Sequence, residues 1–74
     1  MLTINAIEFD HAWEALQHIN ADPRWDTAIV LRGKHYATHK ADAEKLKTAG
    51  VEFAYLCDHE MPDGSWRIMT IPVN

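Results

Sequence analysis

Residues 53–73 read FAYLCDHEMPDGSWRIMTIPV, and this stretch decides the fold. Pro62 and Asp63 suit the centre of a type I turn, and Gly64 can take the positive φ of the bulge that follows such a turn. The register set by this turn collects large side chains on one face: Phe53, Tyr55, Cys57, His59, Met61, Arg67, Met69, Ile71 and Val73. A slip by one residue would scramble that face, so the stretch predicts a β-hairpin with a defined register.

A second hairpin is predicted upstream, in residues 27–38 (TAIVLRGKHYAT). Gly33 and Lys34 fit a two-residue type II′ loop, which has glycine in its first position. This loop would place Arg32 opposite His35 and would group the apolar side chains of each strand on common faces.

Two helices are predicted to flank this hairpin. The first has apolar residues at helical spacing, Phe9, Ala12, Trp13, Leu16 and Ile19, with Asp10 as its N-cap and Pro23 beyond its end. The second covers residues 38–50, with Thr38 as its N-cap and Gly50 as the left-handed residue after its last turn.

The N-terminal residues 2–7 (LTINAI) alternate loosely and add a strand, so the predicted order is β-α-ββ-α-ββ. We expect a single α+β domain over residues 1–74, a small two-layer sandwich. In it, an antiparallel sheet of two hairpins and the N-terminal strand carries both helices on one face. The first six elements resemble a split βαβ, ferredoxin-like arrangement with an added C-terminal strand. That resemblance implies no particular function.

The composition restricts the class of protein. The chain has 74 residues, a net charge of −4 and 47% hydrophobic residues, which favours an ordinary folded domain and disfavours a general polyanion binder. Cys57 is the single cysteine, which fits a reducing compartment. The N-terminal sequence lacks the features of a signal peptide, and no stretch is long enough to predict a membrane span. We therefore expect a complete cytoplasmic protein with an accessory or regulatory role.

The basic stretch 32–40 (RGKHYATHK) is a candidate for binding nucleic acid or another polyanion. A helix start and several cations could hold phosphate, and an aromatic ring could stack on a base. The strand between the hairpin tip and the helix start separates them by roughly 13 Å, so one small phosphate could not reach both. A solvated hairpin and a capped helix explain the stretch more simply. The candidate contacts are Arg32, Lys34, His35, Tyr36 and Lys40.

Metal binding and catalysis have weaker support. Cys57 and His59 are two apart on one strand face and could ligate zinc, but a closed site needs four ligands. His11, Glu14 and His18 line one stripe of the first helix, which the sequence places on an exposed polar face. No nucleophile elbow occurs. We expect no enzyme activity and no cofactor.

The predicted hairpin registers leave an apolar group on the sheet face away from both helices, consisting of Val30, Leu56, Trp66 and Ile68. A small monomer rarely exposes such a contiguous patch, and tryptophan is enriched at binding hot spots. The leading hypothesis is therefore a protein–protein interaction module that binds a partner or a second copy of itself. Polyanion binding is the alternative, and zinc binding is less favoured.

Overall fold

The computed structural model describes residues 2–74. Five strands and two helices follow one another in the predicted order, and the chain is an α+β protein. The elements are β1 (Ala6–Phe9), α1 (Ala12–Ala21), β2 (Thr27–Leu31), β3 (Lys34–Thr38), α2 (Lys40–Thr48), β4 (Phe53–Glu60) and β5 (Trp66–Val73).

The strands form one antiparallel sheet in the order β1-β3-β2-β4-β5. The register of the last hairpin is the predicted one, with Cys57 opposite Met69 and Phe53 opposite Val73. Its turn is also confirmed: the Gly64 N–H donates to the Met61 carbonyl at 2.9 Å, and Gly64 has a φ of 87°. The alternation of apolar side chains therefore fixes this register, as the sequence indicates.

The first hairpin turns one residue earlier than predicted. Leu31 pairs with Lys34, so the loop consists of Arg32 and Gly33, with φ values of 53° and 78°. Two positive φ values define a type I′ turn, one of the two turn types whose twist matches that of the flanking strands. A loop that starts one residue earlier changes each residue's partner by two positions, so that Leu31 pairs with Lys34 instead of Tyr36. Because a shift of two preserves the alternation, the same residues remain on each face of the hairpin.

The two helices lie on opposite faces of the sheet, and the expectation of two helices on one face was wrong. Leu16 of α1 clusters with Ala28 and Leu56, whereas Leu46 of α2 clusters with Ile29 and Phe53. Since successive residues of a strand point to opposite faces, these neighbours belong to different sides.

The cause is the position of β4. The connection from β1 to β2 crosses over β3, and the connection from β3 to β4 crosses over β2. Both connections move the chain in the same direction across the sheet, but they start from strands that run in opposite directions. Right-handed crossovers of this kind put their helices on opposite faces. Had β4 joined the β1 edge, both helices would have shared one face.

The helices also begin later than predicted. His11 rather than Asp10 is the N-cap of α1, and its N–H donates to Glu14 Oε1 at 3.1 Å. Thr38 is a buried residue of β3 whose hydroxyl donates to the Asn5 carbonyl at 2.6 Å, so His39 is the N-cap of α2. A buried hydroxyl needs a partner, and the carbonyl of the residue just before β1 supplies it here.

None of the helices in residues 2–74 is long and apolar enough to cross a membrane.

Candidate interaction surface

The β4–β5 hairpin extends well beyond the rest of the sheet. β4 pairs with β2 only at Tyr55 and Ala54, while its ladder with β5 continues from Phe53 to Glu60. We call residues 57–69, which include the turn between the two strands, the arm. It contributes to an elongated molecule whose principal extents are 45 × 25 × 20 Å.

The arm carries apolar side chains on both of its faces. Trp66 and Ile68 lie on the α1 side, and Met69 lies on the α2 side, with Ile71 next to the base of the arm. Their exposed fractions are 65%, 41%, 48% and 54%, respectively. An isolated two-stranded ribbon is marginally stable in water, so exposed apolar residues on both faces are costly unless another surface covers them.

The predicted interaction surface is divided by the structure. Leu56 is only 6% exposed and lies beneath α1, so its assignment to a free surface was wrong. Val30 is half-buried and packs against the same cluster. Trp66 and Ile68 lie farther along the arm, where α1 does not cover them. The sequence pattern grouped these four side chains on one face correctly, but the prediction that this face carries no helix was wrong, because α1 covers its inner half.

The tip of the arm is an ordered, acidic turn. The Met61 N–H donates to the Ser65 carbonyl at 2.7 Å, and Asp63 Oδ1 accepts hydrogen bonds from the Ser65 hydroxyl and backbone N–H. These two bonds lower the pKa of Asp63 below its usual value. Asp58 and Glu60 add two carboxylates to the arm, so its far end is negatively charged.

The base of the arm is fixed at the other end of β5. Asn74 Nδ2 donates to the Lys47 carbonyl at 2.9 Å and to the Val51 carbonyl at 3.2 Å. These bonds tie Asn74 to the last turn of α2 and to the segment that follows it, and the Lys47 carbonyl also accepts the Gly50 N–H at 3.1 Å. The arm therefore projects from an anchored base.

The candidate polyanion contacts are not brought together. Arg32 and Lys34 are exposed at the β2–β3 turn, where Lys34 Nζ lies 3.8 Å from Glu8 Oε1. Lys40 is at the opposite end of β3, and its N–H donates to Asp26 Oδ1 at 2.9 Å. A carboxylate thus already occupies the start of α2.

The other two candidates, His35 and Tyr36, point to opposite faces of β3, since they are adjacent on the strand. His35 is opposite Val30 on the α1 side, whereas Tyr36 packs against the α2 cluster. Both are half-buried. No continuous basic surface results from the five side chains.

The structure brings no further ligand to the proposed zinc pair. Cys57 and His59 share the α2 side of the arm, opposite Met69 and Arg67. Across residues 2–74, no group of three or more His, Cys, Asp or Glu side chains is arranged to hold a metal ion.

An aromatic cluster beside α1 was not expected from the sequence. The His18 ring packs between Phe9 and Trp25, with centroid distances of 5.3 and 6.3 Å, and Trp25 stacks on His39 at 4.4 Å. His18 is half-buried, and its Nε2 is buried without a hydrogen-bond partner, so its assignment to an exposed polar face was wrong. Aromatic residues just outside two strand ends were the available signal.

An ion pair borders this cluster. Arg24 Nη2 lies 2.8 Å from Asp22 Oδ2, and the Arg24 backbone N–H also bonds the carboxylate. The side-chain bonds to Arg24, followed by the backbone bond, lower the pKa of Asp22 to about 2. An open depression of about 430 Å³ lies between the cluster and this ion pair, and its lining consists of Ile7, His18, Asp22, Arg24, Trp25 and His39. We interpret the cluster as packing that closes this end of the sheet, because its aromatic rings contact one another.

Comparison of the chain with models of known families, with curated proteins and with solved structures gives no match. The function is therefore inferred from the geometry of the arm and the chemistry of its side chains.

Proposed function

We propose that the protein is a non-enzymatic interaction module that binds another protein chain through its arm. The observation that carries this proposal is the exposure of Trp66 and Ile68 on a two-stranded ribbon that the remaining residues of the described range 2–74 do not cover. The size of the chain and its single cysteine favour an accessory role in a reducing compartment such as the cytoplasm.

The exposed surface has the composition of an interface. Tryptophan and methionine are enriched in interface cores, and the charged residues Asp58, Glu60 and Arg67 lie beside them on the two strands of the arm. Trp66 and Ile68 are exposed on one face of the arm, and Met69 and Ile71 are exposed on the other face. A partner that contacts both faces would therefore bury all four side chains.

Two matched variants test the proposal. Trp66→Asp removes the largest exposed apolar side chain of the arm, while Trp13→Asp makes the same change on α1, where Trp13 is 56% exposed. Both should retain the far-UV circular dichroism of the wild type, since neither residue is buried. We expect Trp66→Asp to abolish association, measured by light scattering and by affinity capture, and Trp13→Asp to leave it intact.

Two results would contradict the proposal. Association with itself and with other proteins that is equally strong in both variants would show that the arm is not the binding surface. Loss of the native spectrum in Trp66→Asp alone would show that Trp66 is part of the core.

Polyanion binding through Arg32, Lys34 and Lys40 is not favoured by a specific observation. Lys34 lies near a carboxylate, and the start of α2 is occupied by Asp26. The proposal therefore stays with the arm.

A further inference from the structure

The partner of the arm can be deduced from the backbone of β5. β5 is the outermost strand of the sheet, and among residues 2–74 it is paired with β4 alone. Its outer edge therefore offers free N–H and C=O groups over a long apolar strand. Such an edge is a template for pairing with another strand, and proteins normally block it.

The other open edge of the arm is blocked. Beyond Tyr55, β4 leaves β2, and its free segment carries the carboxylates of Asp58 and Glu60. Charged side chains on a short edge oppose strand addition. The edge of β5 has only Arg67 as a charged residue, so β5 is the side on which a strand can be added.

Pro72 shows which groups of β5 point outward. It pairs with Ala54 in an unbroken ladder, and a proline in such a strand must direct its nitrogen away from its neighbour. Outward groups recur at every second residue, so Trp66, Ile68 and Thr70 also present their N–H and C=O groups to the open edge.

A two-fold axis imposes a register. A two-fold axis perpendicular to the sheet keeps each side chain on its own face, so two residues can pair across it only if they share a face. The axis must therefore lie between the two copies of one β5 residue, which pairs with itself. With the axis at Ile68, Trp66 pairs with Thr70 of the second copy, and about six backbone hydrogen bonds form between outward groups. With the axis at Met69, Pro72 of each copy would oppose Trp66 of the other, and the missing N–H would leave the Trp66 carbonyl of each copy unpaired.

From these constraints we infer that the partner of the arm is a second copy of this chain, joined antiparallel through β5 with Ile68 on the two-fold axis. The inference rests on the proposed function and specifies its partner. The two five-stranded sheets then become continuous. On the α1 side, the Ile68 side chains meet at the axis, with Trp66 of one copy beside Thr70 of the other.

The charges agree with this arrangement. Antiparallel pairing places the acidic tip of one arm beside the end of the other copy's β5. There, Asn74 is bonded to the Lys47 carbonyl, and α2 carries Lys45 and Lys47 in its last turn. Asp63 at the tip thus approaches Lys47 of the second copy, whereas Lys45 lies 3.4 Å from Asp42 of its own helix. Self-association should weaken moderately as salt is raised.

The first test is disulfide cross-linking in a Cys57→Ser background. Ile68→Cys places two thiols across the axis, with Cα atoms about 5.5 Å apart, which a disulfide spans. Thr70→Cys is the matched control, since its two thiols would be separated by roughly 14 Å along the strands. We expect cross-linked dimer from Ile68→Cys only. Preferential cross-linking of Met69→Cys or Thr70→Cys would overturn the register.

The second test acts on the backbone. Thr70→Pro removes an outward N–H but leaves the β4 ladder intact, as Pro72 already does two residues later. Self-association measured by analytical ultracentrifugation should weaken by at least about tenfold, whereas Thr70→Val should retain it. Far-UV circular dichroism should be unchanged in both variants.

The outcomes separate this inference from the broader proposal. A wild-type chain that stays monomeric at high concentration, or a dimer that tolerates Thr70→Pro, overturns pairing through β5. If Trp66→Asp still abolishes capture of another protein, the arm retains its binding role. If it does not, the proposed function fails as well.

Discussion

The placement of α1 and α2 on opposite faces can be tested by double-mutant cycles. Leu16, Leu46 and Leu56 are each at most 6% exposed, and Leu16 shares a cluster with Leu56 but not with Leu46. Replacing a buried leucine with alanine costs about 3 kcal/mol, within a range of roughly 2–5 kcal/mol. Each single variant should therefore lose about this much free energy of unfolding.

The coupling energies carry the information about position. Leu16→Ala and Leu56→Ala affect one cluster, so their combined cost should depart from the sum by about 0.5–3 kcal/mol. Leu46→Ala and Leu56→Ala act on different sides of the sheet and should be additive within about 0.5 kcal/mol. The second pair is thus a matched control for the first.

The assay is urea unfolding followed by far-UV circular dichroism at a fixed low protein concentration. A domain of this size has a total stability of roughly 4–11 kcal/mol, so a double variant can be close to unfolded. An osmolyte such as sucrose raises the stability of the whole set and keeps the cycle measurable. Coupling between Leu16→Ala and Leu46→Ala, with additivity of Leu16→Ala and Leu56→Ala, would refute the opposite-face arrangement.

Two further predictions concern local features. Arg32 has a φ of 53° in a type I′ turn, so Arg32→Asn should raise the free energy of unfolding by a few tenths to about 1 kcal/mol in the same urea assay; a decrease would contradict the turn assignment. Asp22 should titrate near pH 2 by carbon-detected NMR, and Arg24→Gln should raise that pKa toward 3.8. Because the folded-state pKa is the lower one, the ion pair's stabilisation is present above pH 3.8 and is lost as the pH falls toward 2, and an unchanged Asp22 pKa in the variant would contradict it.

The sequence predicts element types, their order and one register well, because these follow from alternation and turn chemistry. The β4–β5 register is determined by which side chains must share a face, and Gly64 fixes the turn. The first hairpin was misplaced because Arg32, which is not a typical residue for positive φ, occupies the turn. Gly33 takes the second loop position instead of the first, and both positions require a positive φ in a type I′ turn.

Which side a helix takes is a property of the whole sheet and could not be read locally. The apolar stripe of α1 matches either face. Because β4 lies beside β2, α2 takes the face opposite α1, and Leu56 of β4 lies on the α1 side. The same cause explains the divided interaction surface, since α1 covers Leu56 but not Trp66 or Ile68.

The length of the hairpin and the position of β4 together account for the arm. β2 has five residues and β4 has eight, so an antiparallel pair that starts near the β2–β3 turn must leave the end of β4 without a neighbour on that side. A longer β2 would have covered this end and removed the free ribbon. The residues of β4 and β5 beyond the β2 pairing instead form a free ribbon, and the open edge of β5 in this ribbon is apolar. Pro72 closes that edge at its base, which restricts pairing to the segment around Ile68. A surface that is extended, apolar and closed at one end favours one register over the many that a uniform edge would allow.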